Sequence, residues 1–146
     1  MLDNFSRSEL ACPTTDQTRL DAGFGEALEK LRIKFDGPIY LTSACRSPSH
    51  NAMVRGHPRS LHLIVNGHWG TGGTCAVDVA ATEGEYPAKL IALALDQDWS
   101  VGVSSNFIHL DQLRLPLLCF LLRPSELAIS HLCRQPTVWC ADRALP

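Results

Sequence analysis

The chain has 146 residues, 45% of them hydrophobic, a formal net charge of -2 and a sequence pI near 6.3. That length suits one domain with a real core, and the charge balance excludes the basic stripe of a nucleic-acid or anionic-membrane binder. The most apolar run, "LRLPLLCFLL", is too short for a bilayer and holds Pro116, so membrane insertion is not expected.

"MLDNFSRSEL" lacks a basic segment leading into an apolar one. No signal peptide and synthesis in the cytoplasm are therefore expected. Six cysteines at 12, 45, 75, 119, 133 and 140 contain no Cys-x-x-Cys pair, which speaks against zinc ribbons and redox motifs. They are expected to be reduced thiols acting as small core hydrophobes.

In chain order, the first predicted helix lies in "LDAGFGEALEKLRIKF", with Asp21 as N-cap and Phe24, Ala27, Leu28, Leu31 and Phe35 at helical spacing. "DGP" at 36–38 ends it and "IYLTSAC" reads as a strand. "SPSHNAMVRG" predicts a short helix with Ser47 as cap, Pro48 in the first turn and Gly56 as stop. "NGHWGTGGT" is a glycine-rich loop, read as a mobile flap over a site. "CAVDVAA" is a strand, "YPAKLIALALDQDW" a helix, and "SVGVSS" and "NFIHLDQL" two further strands. Residues 1–122 form the expected domain, and 123–146, with Pro124, Pro136 and Pro146, a tail without a clean period.

Three polar residues interrupt apolar surroundings. Asp78 lies between Val77 and Val79, and a buried carboxylate costs several kcal/mol unless paired or metal-bound. In "NFIHLDQ" the period of two puts Phe107, His109 and Asp111 on one face, with Ile108 and Leu110 on the other. His62 in "SLHL" is the third. Two imidazoles and a carboxylate suit one Zn²⁺ with a fourth position for water or substrate. Taken singly, each is more often a hydrogen-bonded core residue, a cap or a salt-bridge partner, and a metal-free fold with buried polar pairs stays open.

The segments "FSRSELACP", "LDAGFGEALEKLR", "PIYLTSACRSPSHNAMVRG", "RSLHL", "CAVDVA" and "NFIHLD" together resemble the zinc D-Ala-D-Ala carboxypeptidase family, which shares its fold with the hedgehog domain. The closer resemblance is to short single-domain phage and bacterial members, and it covers roughly residues 5 to 111. It implies His62, Asp78 and His109 as ligands of one Zn²⁺. Arg46 would be the partner of a substrate carboxylate or oxyanion. Ser60 would support the His62 loop at the substrate side, and Ser47, Pro48 and Asn51 would be structural. His50 and His57 are expected to be solvated.

The sequence departs from the family pattern in three places. A loop separates His62 from Asp78 where typical members have seven positions, making His68 a competitor for His62. Cys45 stands where an aromatic is common. Asn106 occupies a position often held by an acidic general base, which leaves Asp111 as the preferred catalytic carboxylate, or else as a partner orienting a ligand imidazole.

The resemblance implies an α+β fold, a small mainly antiparallel sheet with helices packed on it. It implies a peptidoglycan peptidase cleaving stem peptides as a carboxypeptidase or endopeptidase, such as a phage or prophage lysin acting at the cell wall; a monomer is expected. The alternative is a zinc-stabilised wall-binding module without catalysis.

Overall fold

The computed structural model describes residues 2–65, 67, 69–80 and 84–112, and the backbone of the strand Val138–Cys140. Helix α1 (Arg7–Leu10) opens on a capping box: the Ser6 hydroxyl accepts from Glu9 N–H while the Glu9 carboxylate accepts from Ser6 N–H. This helix was not anticipated, although Ser-x-x-Glu before an apolar residue is its local signature. Helix α2 (Ala22–Phe35) starts where Asp21 Oδ1 accepts from Gly23 and Phe24 N–H. It stops at Asp36, whose φ of 52° is left-handed.

Strand β1 (Leu41–Ser43) leads into α3 (Pro48–Met53), capped by Ser47 with Pro48 at its first position. Strand β2 (Ala76–Ala80), helix α4 (Glu85–Asp96) and strands β3 (Ser100–Val103) and β4 (Phe107–Asp111) follow. Among these, β1, β2, β4 and β3 are neighbours in that order and pair antiparallel. The fold is α+β, as expected. Within the tail that shows no clean period in sequence, β5 (Val138–Cys140) adds to β3 in parallel. Three residues are too few for an alternation to show in sequence.

The two faces of the sheet do different work. Val77 pairs with Leu110 and Val79 with Ile108, and these four side chains face the core with Val101. Leu28, Leu31 and Phe24 of α2 and Leu90 and Ala94 of α4 close that core from the helical side. Trp99, fully buried, meets the Phe24 ring edge-on at 5.5 Å between centroids. Each buried Val, Leu, Ile or Phe side chain here contributes about 1.5–3 kcal/mol through its burial. The alternate residues of β2 and β4, Asp78 and His109, stand opposite one another on the other face. Packing of the apolar set thus determines where the polar pair goes.

Candidate metal centre

His62 enters the site from the loop between α3 and β2, on a backbone held at several points. Its carbonyl accepts from Arg46 N–H at 2.8 Å and from the Thr74 hydroxyl at 2.8 Å. Its N–H reaches the Ser60 Oγ at 3.3 Å. The residue is 2% exposed, and Nδ1 donates to the Ala44 carbonyl at 2.8 Å. A carbonyl can only accept, so the proton is on Nδ1 and the Nε2 lone pair points inward.

That Nε2 lies 3.3 Å from Asp78 Oδ1 and 3.3 Å from His109 Nδ1, and Asp78 Oδ1 lies 2.7 Å from His109 Nδ1. The three ligand atoms are all within 4.8 Å of one another. A tetrahedral ion about 2.0–2.1 Å from each ligand would set neighbouring ligand atoms roughly 3.3 Å apart. Two spans have that length already, so the donor set fits a zinc ion in both chemistry and spacing.

Arg46 belongs to the same cluster. Its backbone bridges Leu63, and its guanidinium donates from Nη2 to Asp78 Oδ2 at 2.5 Å and from Nε to Ser43 Oγ at 2.9 Å. Asp111 lies on the other side of His109, its Oδ2 3.4 Å from Nε2. His109 therefore turns one nitrogen to Asp78 and the other to Asp111.

Charge follows this layout. Burial alone would push the Asp78 carboxyl up, but hydrogen bonds and charge from His109 and His62 outweigh it and hold the group well below the usual carboxylate range. Burial likewise opposes a charged His109, yet Asp111 and Asp78 on either side raise it to about 9. For His62 burial prevails and lowers the pKa, which favours a neutral imidazole.

The remaining sequence candidates are placed as follows. Ser60 is tied to the His62 backbone. Asn51 is 4% exposed and its Nδ2 donates to the carbonyls of Gly56 and His57. His57 is exposed, as expected, but His50 is half-buried, with its Nδ1 closed off from solvent. His68 lies outside the described residues. The far end of the glycine-rich loop, read as a flap, is tethered: Gly72 N–H donates to Asp21 Oδ2 and Arg19 Nε donates to the Gly72 carbonyl. Asn106 is exposed in the turn before β4. Sequence reasoning missed Ser43 and Thr74, which hold Arg46 and the His62 carbonyl. Ser43 sits inside the "TSACRSP" motif; nothing local marks Thr74.

A buried His–Asp–His set on a small antiparallel sheet, with an arginine on the carboxylate, could hold a divalent metal ion, and hydrolases use donor sets of this kind. The family model described as Peptidase M15 matches residues 3–111, and the chain belongs to that family, the zinc D-Ala-D-Ala carboxypeptidases that its motifs resemble. No curated protein and no solved structure gives a significant match to the chain.

Proposed function

We propose that this protein is a zinc-dependent peptidase that cleaves the stem peptides of peptidoglycan, as a D-Ala-D-Ala carboxypeptidase or an endopeptidase, acting as a monomer at the cell wall. The observation that carries this reading is the convergence of His62 Nε2, Asp78 Oδ1 and His109 Nδ1 beside the Arg46 guanidinium. Family membership supports the peptidase class. Resemblance to short single-domain phage and bacterial members supports a phage or prophage lysin.

His62, Asp78 and His109 would hold one Zn²⁺. Bound there, the ion would supply Lewis-acid polarisation of the scissile carbonyl and a water of lowered pKa. Arg46 brings positive charge to the same side, where its planar donors suit a terminal carboxylate or a developing oxyanion. The 3.4 Å contact with Nε2 supports Asp111 as the group that orients His109, in preference to a base acting on the water. Ser60 would keep the His62 loop in place at the substrate side.

Digestion of purified peptidoglycan by the zinc-loaded protein, with fragments identified by mass, tests the proposal. Release of D-alanine or cleaved stems is expected, and its loss on Asp78→Ala. A protein that binds zinc but releases nothing would favour the second reading, a zinc-stabilised wall-binding module. Asn106 favours that reading, since an amide cannot usefully accept a proton at neutral pH.

A further inference from the structure

A β-bulge lies beside the metal centre. Leu41 stands opposite Val79 and Ser43 opposite Asp78, so a two-residue step on β1 meets a one-residue step on β2. Thr42 is the extra residue, and its hydroxyl donates to the Asp78 carbonyl at 3.2 Å. Directly opposed residues on antiparallel strands share a face. The bulge therefore brings Ser43 onto the face of Asp78, where an unbulged strand would put Thr42; bulges re-aim side chains in this way.

Beyond the bulge, Arg46 is three residues on, and its backbone is anchored separately. Its N–H donates to the His62 carbonyl and its carbonyl accepts from Ile64 N–H. The side chain has a long, flexible stem, and two contacts restrain it: Nε on Ser43 Oγ at 2.9 Å and Nη2 on Asp78 Oδ2 at 2.5 Å. With Nε held on Ser43, the planar fork presents Nη2 to Oδ2. Oδ2 is thereby engaged, and Oδ1 is the carboxylate oxygen that meets both imidazoles.

We propose that Ser43 is a positioning residue of this centre: its hydroxyl, aimed by the bulge at Thr42, fixes Arg46 on Oδ2 of Asp78 so that Asp78 offers the metal Oδ1 alone. The inference rests on the zinc-peptidase reading and extends it to a residue outside the ligand set. Without the hydroxyl, Arg46 loses its Nε acceptor and swings, and Asp78 turns either or both oxygens inward. The metal then sees a less well-ordered ligand.

The test is a zinc-affinity cycle on the full chain, using Ser43→Ala, Ser43→Thr, Arg46→Ala and the Ser43→Ala/Arg46→Ala double variant. Visible spectra of the cobalt(II)-substituted proteins give a second readout. Ser43→Ala is expected to weaken zinc binding about 10-fold, in the range for groups that orient metal ligands, and to change the cobalt spectrum. Ser43→Thr, which keeps the hydroxyl, is expected to restore both. In the Arg46→Ala background the Ser43→Ala change is expected to have no further effect. Unaltered affinity and spectrum in Ser43→Ala, or an equal loss with and without Arg46, would overturn the inference while leaving the peptidase reading intact. A wild-type chain that binds no zinc would overturn both.

Discussion

Asp78 and His109 stand directly opposite each other on β2 and β4, with Asp78 Oδ1 2.7 Å from His109 Nδ1 and Asp111 Oδ2 3.4 Å from the other ring nitrogen. One imidazole is thus held between two carboxylates, one turned to the metal centre and one behind it. Much of the site's expected behaviour follows from this arrangement.

Asp111→Asn separates orientation from proton transfer. If the carboxylate orients His109, zinc affinity falls by about 10- to 100-fold and activity returns when zinc is raised. If it is the base, kcat falls roughly 10²- to 10⁴-fold at saturating zinc with affinity unchanged. The first result is expected. Zinc titration and peptidoglycan-release rates on the same preparation distinguish them.

Zinc binding is expected to release a proton. The metal takes a neutral imidazole, whereas the metal-free His109 holds its proton up to about 9. Affinity should therefore rise roughly tenfold per pH unit from about neutrality until His109 titrates. The metal-free fold behaves oppositely. Its raised pKa means the folded state binds the proton better, so this stabilisation is fully present below 6.5 and is lost as pH rises through about 9. Calorimetry in buffers of different ionisation enthalpy, with melting curves of both forms, checks the sign of each effect.

Arg46→Ala leaves a carboxylate that is only 9% exposed without one of its charge partners. Breaking a buried pair costs about 3–5 kcal/mol, and about 2–3 is expected here because His109 stays on Oδ1. Urea unfolding of the metal-free protein measures this. A loss under about 0.5 kcal/mol, no more than an ordinary surface change, would show the pair to be energetically idle.

Gly73→Ala should damage the site from a distance. A Cβ there would lie 2.5 Å from the Arg19 carbonyl oxygen, which itself accepts from Thr74 N–H. Thr74 in turn holds the His62 carbonyl. A loss of about 1–3 kcal/mol is expected, as for overpacking, together with weaker zinc binding. Gly67→Ala, whose Cβ would meet nothing within 4 Å, should stay within about 0.5 kcal/mol. Denaturant melts and zinc titrations of the two variants make the comparison.

Local patterns were legible because their physics is local. The Asp21 cap and the apolar positions of α2 lie within a few turns of one another, and the alternation in "FIHLD" separates Ile108 and Leu110 from His109 and Asp111 through the strand's own pleat. The kinds of residue at the centre were visible too, because a carboxylate and an imidazole interrupt apolar strands. The helix α1 was equally local but overlooked, and the three-residue β5 was too short to leave a pattern.

Only the tertiary structure decided which atoms meet. His62 and His109 are 47 residues apart, and the inward-facing nitrogen of each depends on what holds the other: the Ala44 carbonyl for one, Asp111 for its counterpart. The step at Thr42 and the grip of Arg46 on Asp78 depend on pairing between strands 36 residues apart. Sequence periodicity reports the environment a residue prefers, whereas a side chain's hydrogen-bond partner is set by the register of another segment, which no local pattern encodes.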